Sequence, residues 1–139
     1  MKSTFLAVNG TLMRGLELNR NLLDAGATFV REDATAACYR LFSIDDRHPA
    51  MLRTPGEGAR VAVEIWDVPL AGLAQVLMNE PPGLAIGNVL LQDGSMVLGV
   101  IGEAFLCDGK REITKYGGWR AYVEERERGT TIEKGDMKP

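Results

Sequence analysis

No apolar run in this chain travels far before a glycine or proline breaks it. Sixteen glycines stand among 139 residues, and chains so punctuated build turns and short strands rather than helical bundles. The first strand-like run, residues 4–8, halts at Asn9-Gly10, and Gly15 bounds a short segment before a helical pattern begins. Residues 16–25 read as a helix, because Leu18, Leu22 and Ala25 share a face and Gly26 supplies a stop. Residues 35–44 carry Cys38, Tyr39, Leu41, Phe42 and Ile44, which suits a strand buried on both sides. Residues 45–58 read as a polar loop with Pro49 and Pro55. Residues 60–68 alternate as a strand, and Pro69 stands where the first turn of a helix over 70–78 tolerates it. Pro81-Pro82-Gly83 ends that helix.

The clearest hairpin follows, residues 85–91 and 96–101 joined by an Asp93-Gly94 turn. Residues 113–116 read as a last short strand, and Gly117-Gly118 leads into Trp119-Arg120-Ala121-Tyr122. From Glu124 the chain is charged and without apolar anchors. With no repeats and no alternating strand–helix rhythm, the expectation is one α+β domain over residues 1–123. Its architecture would be a small mixed β-barrel with flanking helices, followed by a charged, flexible tail over 124–139.

Composition narrows the function. A net charge of −3 and a pI near 5.2 argue against nucleic acid or an anionic membrane as partner. No apolar run reaches membrane-spanning length and no secretory pattern opens the chain, so a soluble cytoplasmic protein is expected. Cys38 and Cys107 read as buried free thiols. His48 is the only histidine and lies in the polar loop, where it reads as a surface residue. With no second imidazole and no cysteine spacing for ligands, neither a metal site nor a Ser-His-Asp arrangement is expected. No dinucleotide or phosphate-loop fingerprint is present, and no cofactor is expected.

Two features carry chemistry. The turn Asn9-Gly10-Thr11-Leu12 leaves backbone N–H groups beyond a strand end, able to hold a carboxylate or a developing oxyanion. The same residues also make an ordinary turn or cap. Glu80 closes the second helix, where the negative end of the dipole and any burial disfavour its charged form. That is the direction needed for a general acid/base, although an exposed Glu in a frayed last turn would occupy the same place. Glu103, after Gly102 at the end of the hairpin, is a second carboxylate and reads as a solvated strand end.

Val8-Asn9-Gly10-Thr11-Leu12 resembles the aromatic-Gly-Ser/Thr-Leu loop of the gamma-glutamylcyclotransferase-like superfamily. The strand, the helix from Pro69 and then Glu80 follow in that superfamily's order. Within it, the chain is most similar to the C-terminal domain of allophanate hydrolases and its stand-alone relatives. That likeness is carried by Met13-Arg14-Gly15-Leu16-Glu17-Leu18-Asn19, Cys38-Tyr39-Arg40-Leu41-Phe42, Glu64-Ile65-Trp66 and Leu84-Ala85-Ile86-Gly87-Asn88-Val89. Its longest piece is Ile113-Thr114-Lys115-Tyr116-Gly117-Gly118-Trp119-Arg120-Ala121-Tyr122.

The resemblance implies a β-barrel with a cavity between the Asn9–Leu12 turn and Glu80, taking a small-molecule substrate. It implies release of 5-oxoproline from gamma-glutamyl amines, with Glu80 as acid/base and no metal or cofactor. Arg120 and Tyr122, shared with the nearer family, either close the cavity with a charge and a hydroxyl or fix the C-terminal segment. Two departures accompany the likeness. Asn9 stands where cyclotransferases carry an aromatic residue, and Leu12 stands where allophanate hydrolase domains carry a histidine tied to a decarboxylating step. The same kinship allows a second role, a non-catalytic binding or assembly module serving an amidase or carboxylase partner protein. A homo-oligomer is compatible with either role.

Overall fold

A computed structural model describes residues 2–136, with side chains as far as residue 129. Among the described residues eight strands form two sheets. The larger has the order β2-β5-β1-β7-β6, from Thr28–Ala34, Ala62–Pro69, Ser3–Val8, Met96–Gly102 and Leu84–Leu90. The smaller, β4-β3-β8, is built from His48–Arg53, Tyr39–Ile44 and Arg111–Glu112. Four helices accompany them: α1 Asn19–Asp24, α2 Leu70–Met78, α3 Ala104–Cys107 and α4 Trp119–Asp136. The fold is α+β, as expected.

The barrel is the correction. The two sheets do not close on one another. The outer strands of the larger sheet meet at a single bridge, Thr35 to Leu91, with Ala36 N–H on Leu90 O at 2.9 Å and Gln92 N–H on Ala34 O at 3.0 Å. The smaller sheet lies across this curled sheet, held by the Tyr39 hydroxyl, which accepts the Leu90 N–H at 2.9 Å. Between them Leu6, Val8, Leu41, Met51, Val61, Ile65, Leu91 and Ile113 make a fully buried core. β5 is covered on both faces, so Glu64 and Trp66 are as buried as Val63 and Ile65.

Two local expectations change, and one further strand joins the larger sheet. Residues 48–53, read as loop, are β4, because Asp45 and Asp46 take left-handed conformations (φ 54° and 59°) and turn the chain back on β3. Pro49 is tolerated there because β4 is an edge strand. Charged β2 was not foreseen; it is an edge strand too, paired with β5 across a bulge between Phe29 and Arg31. Residues 114–116 form a 3-10 turn rather than a strand. The segment from Glu124 continues α4 to Asp136. Its Glu and Arg residues are good helix formers, and Arg128 pairs with Glu125 one turn back at 2.6 Å. Residues 137–139 of the expected tail lie outside the described residues.

Candidate functional site

The chain leaves β1 at Val8 and turns at once. Met13 N–H bonds Gly10 O at 3.0 Å, Leu18 N–H bonds Thr11 O at 2.9 Å, and the Asn19 amide bonds Leu12 O at 2.8 Å. None of these bonds uses the N–H of Thr11 or Leu12. The turn presses on the β3–β4 hairpin so closely that a Cβ on Gly10 would stand 2.5 Å from Pro49 Cδ, and only glycine fits there. Asn9 is buried. Its amide donates to Val100 O on β7 at 2.9 Å and points a second N–H towards Met51 Sδ at 3.8 Å. Leu12 is buried in the core.

Glu80 reaches the same place from the other side. Its N–H donates to Leu77 O at 3.1 Å in a turn just past the end of α2, and Pro81-Pro82 prevent further helix. The residue is half-buried, yet its Oε1 is shut from solvent without a hydrogen-bond partner. It is the one such side-chain atom among the described residues. Burial pushes its carboxyl from the ordinary 4.5 up to about 7.

Asn9, Gly10, Thr11, Leu12 and Glu80 therefore line one niche, together with His48, Pro49, Leu84 and Val100. The niche is small, about 10 Å³, room for a single water-sized group. Beside it lies a groove of about 320 Å³ that shares Thr11 and His48 and continues over Glu17, Arg47, Asp45 and Pro81. That volume falls within the range of small-molecule sites. His48 was not foreseen here. The available signal was the apolar run Ala50-Met51-Leu52 just after His48, which a strand would need.

Arg120 and Tyr122 do not line the niche. Arg120 donates to Arg14 O at 2.9 Å and to Glu64 Oε2 at 3.3 Å, on the wall of a separate cavity of about 360 Å³. Tyr122 is buried and donates to Asp46 Oδ1 at 2.6 Å. Two residues apart on a helix, they face different ways. Arg120 ties α4 to the segment following the Asn9–Leu12 turn, and Tyr122 ties it to the turn that leads to Arg47 and His48. Hydrogen bonds from Ser43 and Tyr122 hold the Asp46 carboxyl below its ordinary range.

Tyr122→Phe is expected to cost about 1.5–3 kcal/mol, the worth of a hydrogen bond to a charged group, read as a lower urea midpoint. Because the folded value of Asp46 is depressed, this stability is present above the ordinary carboxylate pKa. It is lost as pH falls through the depressed value, so the gap between variant and parent should narrow in acid.

Cys38 and Cys107 are both free; Cys107 is buried as expected, whereas Cys38 is partly exposed. Among the described residues no group of His, Cys, Asp and Glu could hold a metal ion, and no helix is long and apolar enough to cross a membrane. Glu103 is exposed at the start of α3.

The architecture is the gamma-glutamylcyclotransferase-like fold. An AIG2-like protein from Mus musculus superimposes with a TM-score of 0.57 at 23% identity, covering 75% of this chain and 78% of that one, a likeness of fold alone. A model of the allophanate hydrolase C-terminal domain matches residues 4–124, and the chain belongs to that family. The uropathogenic E. coli-specific protein c4763 is 60% identical with a TM-score of 0.88, covering 89% of this chain and 98% of that one. A urea amidolyase of Lachancea kluyveri is 33% identical over 129 residues, 88% of this chain. The chain spans 7% of the length of that relative.

Proposed function

We propose that the chain is a gamma-glutamylcyclotransferase-like enzyme that releases 5-oxoproline from a small gamma-glutamyl amine or related amide. The observation that carries this reading is the buried, unpartnered Oε1 of Glu80 on the niche beside the Asn9–Leu12 turn. A carboxyl brought to about 7 both accepts and returns a proton near neutrality. The niche is too small for a whole substrate, so the gamma-glutamyl group lies in the groove and only its α-amino nitrogen enters. Glu80 takes a proton from the α-ammonium, and the freed amine attacks the γ-carbonyl carbon of its own chain. Holding the substrate folded removes much of the entropic cost, and no protein nucleophile is needed. The N–H groups of Thr11 and Leu12 face the developing oxyanion.

The experiment is 5-oxoproline release across a panel of gamma-glutamyl amines and dipeptides, with Glu80→Gln alongside. Release that needs Glu80 is the expected result. A second reading, a non-catalytic assembly module for an amidase or urea-degrading partner, draws on the length of the urea amidolyase that carries the matching region. It draws also on Asn9, whose amide is already engaged by Val100. No release across the panel, with co-purification of an amidase, would favour it.

A further inference from the structure

Cyclisation of a gamma-glutamyl amine moves more than one proton. The α-nitrogen begins as an ammonium with three hydrogens and ends as a ring amide with one. Its lone pair forms the new N–C bond to the γ-carbon, and the old C–N bond breaks with its electron pair on the leaving nitrogen. Two protons must pass from the first nitrogen to the second for the product to leave as an ammonium ion. Glu80 carries one at a time.

The niche holds one other titratable side chain. His48 stands at the start of β4 and lines both the niche and the groove. Its Nδ1 lies 3.0 Å from Pro49 O. A carbonyl oxygen can only accept, so Nδ1 carries the hydrogen, and in the neutral ring Nε2 keeps its lone pair. The niche that His48 and Glu80 both line admits one water-sized group, the size of an amine nitrogen. We propose that His48 is the partner of Glu80 across this niche and the second proton carrier of the reaction. The carrier role rests on the cyclotransferase reading; the pairing does not. The other charged groups on the groove are Glu17, Asp45 and Arg47, with Asp45 held by Lys110 at 2.9 Å.

The chain has a single histidine, so one imidazole spin system reports on this site without ambiguity. Its chemical shifts are followed against pH by NMR in the unaltered protein, in Glu80→Gln and in Glu17→Gln. The pair predicts that Glu80→Gln changes the curve and that Glu17→Gln changes it less. Superimposable curves for the unaltered protein and Glu80→Gln overturn the pair. In the release assay His48→Gln is expected to lower kcat by about tenfold or more, with partial rescue by imidazole in the buffer. If His48→Gln turns over like the unaltered protein while Glu80→Gln is inactive, the carrier role falls and the cyclotransferase reading stands. If no form releases 5-oxoproline, that reading and the carrier role fall together, and the titration alone decides the pair.

Discussion

Glu80→Gln is expected to lower 5-oxoproline release by about 100-fold or more and, at pH 8, to melt higher than the unaltered protein. The second half follows from the sign of the shift. Burial raises the carboxyl from 4.5 to about 7, so the folded state holds its proton to higher pH than the unfolded chain does. Stability from this group is complete below about 4.5 and is lost as pH rises to about 7, where the folded state must carry a buried charge. Part of the side chain meets solvent, so the loss is about 2 kcal/mol rather than the full conversion of the shift. Gln keeps the shape and never ionises. Its melting temperature should therefore stay level from pH 5 to 8 while that of the parent declines, the two diverging by about 5 °C. Thermal melts across that range with the release assay check both halves. A variant that loses activity because it unfolds would move the other way. A parent melting temperature that does not fall over this range would mean that Glu80 is not buried as an acid.

What the residues disclosed in advance depends on whether their role is local. Pro69 before α2, Pro81-Pro82 after it and Asp93-Gly94 between β6 and β7 act on their own backbone, so those boundaries were legible. β4 was not, because its turn is made by two aspartates rather than the usual glycine, and its proline suggests a loop unless the strand is known to lie at an edge. β2 was hidden for a related reason. Arg31, Glu32 and Asp33 alternate without an apolar face, and only the long-range pairing with β5 makes them a strand. The niche was half legible. Asn9, Gly10, Thr11 and Leu12 are consecutive, and Glu80 follows from the order of elements, but His48 joins them only through the contact between Gly10 and Pro49. Arg120 and Tyr122 stood out as a pair, and no spacing argument shows that one would reach Glu64 and the other Asp46.

Glu64 was legible only as a strand residue and a piece of the family likeness, yet its removal is expected to give a large stability loss. It is 3% exposed and accepts four hydrogen bonds. Oε1 takes Arg14 N–H at 2.9 Å and Trp66 Nε1–H at 3.1 Å; Oε2 takes Arg14 Nε at 3.2 Å and Arg120 Nη2 at 3.3 Å. Arg14 also lies over the Phe29 ring at 3.7 Å and pairs with Glu32 at 2.8 Å. A buried carboxylate so fully engaged is not by itself a strong source of stability, because desolvating it offsets the attraction. Removing it alone is a different matter. Glu64→Ala leaves the Arg14 and Trp66 donors without an acceptor and two guanidinium groups facing a cavity, at a cost of about 3–5 kcal/mol. Against a typical total of about 5–15 kcal/mol, that is enough to unfold a marginal domain near body temperature. Glu64→Gln should be milder but still destabilising, since its NH₂ faces donors where an acceptor is needed. Urea unfolding gives the test. The double variant Glu64→Ala with Arg120→Ala should lose less than the sum of the two, because the second change removes a charge that the first has stranded. A strictly additive result would separate α4 from the network. A subadditive one means that Glu64 and Arg120 act as one unit, holding α4 against β5 beside the Arg14 segment that follows the Asn9–Leu12 turn.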